Sequence, residues 1–288
     1  MPELPEVETI RRELQTVLPG RRLHSIECDL PKMIKIPLPR FRRGVVGAKI
    51  VAVHRRAKLV LIHLANGQTI VIHLKMSGQL IWQPRRGRLR VGGHPIPGGI
   101  ERLPNKYSHV IFRLTDGQLY FNDQRQFGFV KLLPTATLNQ WLTDQGYGPE
   151  PLEAKFSLPG FELILAKHRR KRIKPVLLDQ TVIAGVGNIY ADEACFAAKV
   201  RPTRRVSSLT AKERHDLYHG LRSVMNLAIR RKGTTADAYR TATGRPGGML
   251  PFLKVYGRTG ESCKRCSGTI KKIVLAGRGT HYCPDCQR

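Results

Sequence analysis

The chain has 288 residues and a formal net charge of +29, from 50 Lys and Arg residues against 21 Asp and Glu. This length is enough for two domains. So large a positive charge makes nucleic acid the first partner to consider, although a membrane surface or an acidic protein would also suit it. No stretch approaches the roughly 18 apolar residues of a membrane span, and the amino terminus lacks the pattern of a secretion signal. We therefore expect a soluble cytoplasmic protein with no membrane partner.

The first nine residues, MPELPEVET, combine an amine with carboxyl groups. Pro2 is small enough for Met1 to be trimmed, which leaves a secondary amine at the chain terminus. Such an amine has an ordinary pKa of about 8, so part of it is neutral near pH 7 and can attack an electrophilic carbon. Glu3 and Glu6 lie at the start of a predicted helix, where a carboxyl group can exchange protons with a reacting group. In the alternative interpretation, Pro5 is an ordinary first-turn proline and the acids only complement the helix dipole.

The amino-terminal half predicts an antiparallel β-sandwich or barrel. Short apolar runs alternate with turn residues, and Asn66-Gly67 and Asp116-Gly117 are strong hairpin signals. The predicted strands cover residues 23–26, 45–53, 58–64, 68–73, 110–114 and 118–121. Residues 84–105 are rich in Gly, Pro and Arg, and this composition predicts a long basic loop.

Turn segments of this half carry candidate binding residues. Lys58 lies just ahead of an apolar run, where the local pattern favours a solvated positive charge beside a strand. Met76 lies in one predicted turn, and Arg125 and Phe127 lie in another. Apolar side chains exposed on loops can wedge between base steps, and a guanidinium can hydrogen-bond the partner of an extruded base. From residue type alone, however, Met76 and Phe127 are expected in the core.

The carboxy-terminal half changes to helical periodicity. The predicted helices cover residues 161–168, 175–178, 188–198 and 210–232, after a short helix over 138–144. Thr210 and Glu213 have the spacing of a capping box. We expect domains at residues 1–135, 161–254 and 255–288, with a linker over 136–160 and a mobile loop over 233–254.

Two segments among these helices are suited to phosphate. The glycines of the run Gly185-Val-Gly-Asn188 let the backbone approach a phosphate, and Asn188 at the next helix start could equally be an ordinary helix cap. Residues 168–174 are the densest basic run and include Arg170 and Lys174. A solvated face usually explains such a run, but the net charge makes a phosphate track at least as suitable.

Four of the six cysteines form two Cys-x2-Cys pairs near the carboxy terminus, Cys263 with Cys266 and Cys283 with Cys286. Their spacing fits a four-cysteine zinc site, with disulfides or an iron–sulfur centre as alternatives. Four thiolates complete a tetrahedral shell, so the zinc is expected to be structural. The apparent β-hairpin between the pairs carries Arg278 near its tip, where an arginine is commonly just exposed to solvent.

Six motifs, in order along nearly the whole chain, resemble one family. They are MPELPEVET, Arg55-Arg-Ala-Lys58, His73-Leu-Lys-Met-Ser-Gly78, Arg125-Gln-Phe-Gly128, Gly185-Val-Gly-Asn188 and the terminal cysteine module. Together they are similar to the formamidopyrimidine-DNA glycosylases, bacterial enzymes that remove oxidised purines. The resemblance implies an α+β fold: an N-terminal helix with an antiparallel β-sandwich, then a helix-two-turn-helix domain with a β-hairpin zinc finger.

The resemblance also implies catalytic roles. It makes Pro2 the nucleophile and Glu3 the group that manages protons. Lys58 and Arg278 then assist strand cleavage, and Glu6 supports the site.

The implied DNA-binding residues fall into two groups. Met76, Arg125 and Phe127 fill the gap left by an extruded nucleotide. The remaining contacts are assigned to Tyr107, which stands where the family commonly carries histidine, and to His109, Arg170, Lys174 and Asn188.

We therefore predict a monomeric DNA glycosylase and apurinic/apyrimidinic lyase that acts at the nucleoid with one structural Zn²⁺ and no organic cofactor. The implied substrates are 8-oxoguanine and formamidopyrimidines in duplex DNA, removed by base flipping, with strand cleavage by β,δ-elimination. One alternative is an endonuclease VIII-type glycosylase for oxidised pyrimidines, although Leu4 and the Met-Arg-Phe set favour purines. Another is a non-catalytic, zinc-containing DNA-binding protein, which leaves the combination of Pro2, Glu3 and Lys58 without a purpose.

Overall fold

The computed structural model describes residues 1–87, 89–93, 102–234 and 248–288. The chain divides into two compact units. The first contains Met1–Gln145 and Arg231–Gly248, and the second contains Gly146–Arg230 and Met249–Arg288. No helix in these described ranges has both the length and the apolar character needed to cross a membrane.

The first unit begins with helix α1 (Leu4–Gln15). Glu3 is its N-cap and Pro5 lies in its first turn, where the missing backbone N–H of proline costs nothing. Val7, Ile10 and Leu14 recur at helical spacing and are fully buried. The apolar stripe predicted from the sequence therefore packs into the core.

Nine strands of this unit form two antiparallel sheets. The strands are β1 (Leu23–Cys28), β2 (Ile50–Arg56), β3 (Leu59–Leu64), β4 (Gln68–His73), β5 (Gly78–Pro84), β6 (Arg90–Gly93), β7 (Ser108–Leu114), β8 (Gly117–Asp123) and β9 (Phe129–Pro134). One sheet has the order β1-β7-β8-β5-β6 and the other the order β2-β3-β4-β9. The unit also contains helices α2 (Leu38–Val45) and α3 (Thr135–Asp144) and a short 3-10 helix over Pro31–Met33.

The largest apolar cluster among the described residues of this unit lies between these sheets and α1. Trp82 and Phe112 reach it from the five-stranded sheet, and Ile62 and Ile70 reach it from the four-stranded sheet. Each large apolar side chain removed from water contributes roughly 1.5–3 kcal/mol, which makes this core the main source of stability for the unit. The predicted antiparallel sandwich is confirmed.

The second unit is helical and ends in a hairpin. Its α-helices and strands in the described residues are α4 (Leu158–Lys167), α5 (Ile173–Leu178), α6 (Asn188–Ala197), α7 (Ala211–Arg230), β10 (Lys271–Leu275) and β11 (Arg278–Tyr282). The capping box ahead of α7 is confirmed: Thr210 N–H donates to Glu213 at 2.8 Å, and Glu213 N–H donates to the Thr210 hydroxyl at 3.2 Å. α6 and α7 pack closely at Gly220, where an added Cβ would lie 3.0 Å from Ala197 Cβ.

Some predicted elements are wrong. The strand expected over 45–53 begins only at Ile50, because α2, with Pro39 in its first turn, runs to Val45 and Gly47 then turns the chain with a φ of +83°. The loop expected over 84–105 contains β6, which pairs with β5; residues 88 and 94–101 of it lie outside the described residues. Most of the loop expected over 233–254, residues 235–247, lies outside them as well.

Candidate active site and nucleic-acid interface

The amino end of α1 holds its polar groups in a buried setting. Pro2 is buried, and Glu3 and Glu6 are only 3% and 2% exposed. Glu6 accepts the Glu3 backbone N–H at 2.9 Å through one oxygen and the Thr234 backbone N–H at 2.9 Å through the other. The Glu3 side chain accepts the Glu6 backbone N–H in return, so the two buried acids form a reciprocal capping box at the start of α1.

Glu8 connects this helix end to the turn that carries Lys58. Its carboxylate accepts from Arg55 Nε at 3.1 Å, and Arg55 Nη1 donates to the carbonyl of Ala57 at 2.9 Å. Burial favours the protonated form, but hydrogen bonds from Arg11 and Arg12 hold the pKa of Glu8 below its ordinary value. Glu8 thus joins α1 to the Arg55–Lys58 turn, a contact that the sequence reasoning did not identify.

Lys58 is 6% exposed and directly precedes β3. The local interpretation of Lys58 as a solvated charge is therefore wrong. β3 begins at Leu59, which pairs with His73 at the end of β4. The strand register thus places Lys58 near the segment that follows β4 and contains Met76.

Two connections cross between the sheets at this same end of the sandwich. Residues 74–77 join β4 to β5, and residues 124–128 join β8 to β9. His73 pairs with Phe129, and Gly78 pairs with Asp123, so the two connections lie side by side. The fold therefore brings together Met76, Arg125 and Phe127.

These three side chains differ in exposure. Phe127 is 55% exposed, and the Arg125 guanidinium lies over its ring at 5.0 Å from the centroid. Met76 is half-buried. A core position for Phe127, the outcome expected from residue type alone, is wrong, because its ring projects from a loop.

His73 is a second residue that the sequence reasoning did not select. Its Nδ1 accepts the Lys75 backbone N–H at 2.9 Å, which requires that nitrogen to be unprotonated. Burial, reinforced by the positive charges of Lys75 and Lys58, lowers the pKa of His73 to about 3. His73 therefore supports the residue 74–77 connection as a neutral ring. A histidine at a strand end was the available signal.

Tyr107 and His109 lie beside the same end of the five-stranded sheet. The Tyr107 carbonyl accepts the Asp123 backbone N–H at 3.0 Å, and its side chain is half-buried. His109 is buried, and its Nδ1 lies 3.0 Å from the Asp29 carboxylate. Of the two, Tyr107 presents more surface to a ligand.

In the second unit, the two predicted basic DNA contacts differ in exposure. Arg170 is exposed in the turn between α4 and α5. Lys174, by contrast, is 0% exposed: its Nζ forms an ion pair with Asp192 at 2.7 Å and donates to the Gly279 carbonyl and the Thr280 hydroxyl, each at 2.8 Å. We correct the prediction for Lys174, because an ammonium group enclosed by three partners has no face left for a phosphate.

Asn188 shares one of these partners. Its Nδ2 donates to the Gly279 carbonyl at 2.9 Å, whereas Gly187 is the N-cap of α6. The alternative role of Asn188 as a helix cap is therefore wrong. Arg278 directly precedes Gly279 and is exposed at the turn of the β10–β11 hairpin, so contacts from α5 and α6 fix the backbone beside it.

The four terminal cysteines converge. All are free thiols, and their Sγ atoms lie within 4.8 Å of one another, with Cys263 to Cys286 at 3.9 Å and Cys266 to Cys283 at 3.5 Å. A zinc ion bound by four thiolates at about 2.3 Å sets its sulfur atoms roughly 3.8 Å apart. The donor set and spacing therefore fit a closed tetrahedral metal site.

Models of three known domains match the chain in sequence order. They are the formamidopyrimidine-DNA glycosylase N-terminal domain over residues 1–130, the formamidopyrimidine-DNA glycosylase H2TH domain over 147–239, and a zinc finger found in FPG and IleRS over 260–288. A formamidopyrimidine-DNA glycosylase from Pelotomaculum thermopropionicum is 42% identical over 290 residues, which cover 100% of this chain and 99% of that relative. The chain belongs to the formamidopyrimidine-DNA glycosylase family.

Other members of the formamidopyrimidine-DNA glycosylase family are similar over the same length. The Streptococcus pneumoniae R6 protein is 40% identical, with 100% of this chain and 99% of that protein covered. The solved complex of Lactococcus lactis Fpg with DNA containing an abasic site has a TM-score of 0.89 at 34% identity and covers 99% of each chain. The predicted helix-two-turn-helix domain and zinc finger are thereby confirmed as parts of the fold.

Proposed function

We propose that this protein is a base-excision-repair enzyme that removes oxidised purines from duplex DNA and then cleaves the strand at the resulting abasic site. The single observation that carries this proposal is full-length membership of the formamidopyrimidine-DNA glycosylase family. It is supported by solved complexes of the Lactococcus lactis relative with abasic-site DNA and with DNA containing Fapy-dG. The proposed substrates are 8-oxoguanine and formamidopyrimidines.

In the proposed excision step, Pro2 acts as the nucleophile once Met1 has been removed. Its nitrogen attacks C1′ of the sugar, and the bond from C1′ to the base breaks, with the electron pair leaving on the base. Glu3 manages the protons as the base departs and the sugar ring opens to an iminium joined to Pro2. Glu6 keeps the α1 terminus in place through its bonds to the Glu3 and Thr234 N–H groups.

In the proposed lyase step, the iminium withdraws electrons and acidifies the C2′ proton. Loss of that proton breaks the C3′–O bond and releases the 3′ phosphate, and a second elimination breaks the C5′–O bond. Lys58 and Arg278 assist these eliminations. Hydrolysis of the remaining imine frees Pro2.

Base extrusion needs groups that replace the flipped nucleotide in the duplex. We assign this role to Met76, Arg125 and Phe127, because the exposure of Phe127 with Arg125 over its ring suits insertion between bases. The proposed backbone contacts are Tyr107, His109, Arg170 and Asn188.

The four cysteines Cys263, Cys266, Cys283 and Cys286 are proposed to hold one structural Zn²⁺, which stabilises the hairpin that carries Arg278. The proposed chemistry needs no organic cofactor. We also propose that the protein acts as a monomer at the nucleoid.

Covalent trapping tests the function. Purified protein, with removal of Met1 verified by mass spectrometry, is incubated with borohydride and duplex DNA containing 8-oxoguanine opposite cytosine. The expected result is a reduced adduct that maps to Pro2 and is absent with undamaged DNA. An adduct formed only with oxidised-pyrimidine DNA would favour the endonuclease VIII-type alternative, and trapping with neither DNA would favour a non-catalytic binding protein.

A further inference from the structure

We propose that Asp123, acting with Ser77, is a positioning residue that joins the two connections of residues 74–77 and 124–128 into one rigid gap-filling unit. This inference rests on the proposed function, which gives Met76, Arg125 and Phe127 their role in base extrusion. Asp123 touches no substrate in this proposal. It acts by holding the backbone that presents these side chains.

Asp123 is the last residue of β8 and is 0% exposed. Its Oδ1 accepts the Ser77 hydroxyl and the Arg125 backbone N–H, the latter at 3.2 Å, and its Oδ2 accepts the Gly128 backbone N–H at 2.6 Å. Ser77 Oγ also accepts the Arg125 N–H at 2.9 Å. One carboxylate therefore binds both ends of the 124–128 connection together with the residue that follows Met76.

The charge of Asp123 has no compensating cation within ion-pair distance in the part of the chain that the structure describes. A buried carboxylate is stable only where donors surround it. Here the donors belong to the two connections, so the carboxylate is satisfied only while both keep this conformation. The hydrogen bonds that the Asp123 carboxylate accepts therefore link the position of Met76 to that of Arg125.

The backbone between the two Asp123 contacts adopts a conformation that needs this support. Gln126 has a φ of +57°, in the left-handed region that is unfavourable for most residues. At Gly128, an added Cβ would lie 2.5 Å from Phe121 and 2.9 Å from Asp123 Oδ2, so only glycine allows the approach. The hydrogen bonds to Asp123 thus keep the 124–128 backbone in the conformation that leaves the Phe127 ring exposed.

The test variant is Asp123→Asn, which keeps the size of the side chain but replaces an acceptor with an N–H donor facing backbone N–H groups. Asp116→Asn is the matched control, because Asp116 is exposed in the β7–β8 turn of the same unit. Ser77→Ala is the second test variant, since it removes the hydroxyl that joins the connections and leaves the carboxylate in place. Thermal melting establishes that each variant is folded.

Extrusion and chemistry are measured separately under single-turnover conditions. A fluorescent base analogue beside 8-oxoguanine reports extrusion, and cleavage of DNA with a preformed abasic site reports imine chemistry where no base has to be unstacked. We expect Asp123→Asn to slow extrusion and excision by roughly tenfold or more, with a smaller loss for Ser77→Ala. Abasic-site cleavage by both variants, and all rates of Asp116→Asn, should stay within about threefold of wild type.

Selective loss of extrusion in the test variants supports the inference. Equal losses on both DNAs would overturn it, because a general structural defect lowers both rates. Unchanged extrusion in Ser77→Ala would overturn it even where Asp123→Asn does not fold. Failure of the proposed function is distinguishable, since wild-type protein would then leave both DNAs uncleaved.

Discussion

Glu3 and Glu6 cap α1 reciprocally, because each side chain accepts the backbone N–H of the other. Glu6 receives backbone N–H groups from Glu3 and Thr234, which gives it a structural task. Glu3 lies directly beside Pro2, which suits it to proton transfer near the amine. Substitutions of the two residues should therefore have different consequences.

Glu3→Gln should lower 8-oxoguanine excision by about 10²–10⁴-fold, because the amide cannot exchange a proton with the departing base or the sugar oxygen. Single-turnover excision assays measure this loss. Glu27→Gln, an exposed change of the same kind, is the control and should leave the rate unaltered. Equal excision rates for the two variants would remove Glu3 from the mechanism.

His73 gives the protein a defined pH dependence. Its pKa is lowered to about 3, whereas an unfolded chain protonates histidine near pH 6.5. The unfolding free energy that His73 contributes by staying neutral in the folded protein is therefore present above pH 6.5 and is lost as the pH falls toward 3. Between pH 7 and pH 5, wild type should lose roughly 2 kcal/mol more unfolding free energy than His73→Asn.

Urea unfolding of the two proteins at pH 7 and pH 5 measures the difference, because His73→Asn keeps an acceptor for the Lys75 N–H but cannot titrate. Parallel losses in both proteins would contradict the assigned pKa. The sequence analysis includes His73 in one of the family motifs. Its neutral state could not be predicted, because it depends on burial and on Lys58, which only the folded chain brings near.

At the scale of elements, the α5–α6 region anchors the β10–β11 hairpin through Lys174. Its buried ion pair with Asp192 is joined by a bond from the His281 backbone N–H to Asp192 at 2.8 Å. Removing one member of a buried pair leaves an uncompensated charge. The backbone beside Arg278 is therefore held by a lysine that is fully buried within the second unit.

Lys174→Met should reduce the unfolding free energy by roughly 3–5 kcal/mol, because the buried Asp192 would lose its ion-pair partner. Lys171→Met, three residues earlier and exposed, should change it by less than about 0.5 kcal/mol. Urea denaturation at neutral pH compares them. Equal stabilities would indicate that solvent reaches Asp192.

Elements that local interactions create were predicted from the sequence, whereas elements that depend on tertiary contacts were not. The α7 capping box and the hairpin turn at Asn66-Gly67 are local, and both were predicted correctly. Sequence reasoning could not tell which residues of the basic run 168–174 are exposed and which are buried. Arg170 and Lys174 have similar chemistry and differ only in what packs around them. β6 was missed for a similar reason: its pairing with β5 is a tertiary choice made by a Gly-rich segment.

For the whole molecule, the charge of +29 should dominate DNA affinity. Arg170→Ala should weaken binding to damaged and undamaged duplexes alike and reduce the slope of log Kd against log salt concentration by about 1, because one phosphate contact is lost. Fluorescence anisotropy across a salt series measures the slope. A change confined to damaged DNA would instead assign Arg170 to lesion recognition.

The domain boundaries expected from composition, at residues 135 and 160, stay predictions. The two compact units divide the chain at Gln145 and again at Arg231 and Gly248. Composition marks where turn-forming residues concentrate, but it cannot reveal that a later segment rejoins an earlier unit, because that return depends on contacts between residues distant in sequence.

The assignment of the later segment Arg231–Gly248 to the first unit has a consequence for biosynthesis. Thr234 donates to Glu6 from the segment Arg231–Gly248, which belongs to the same unit as α1. The ribosome delivers residues in order, so Glu6 cannot gain the Thr234 donor until residue 234 has emerged, after Gly146–Arg230 has been synthesised. The hydrogen bonds of Glu6 are thus completed only after most of the chain has been synthesised. An expression fragment that stops at Gln145 would lack one of the donors that hold Glu6.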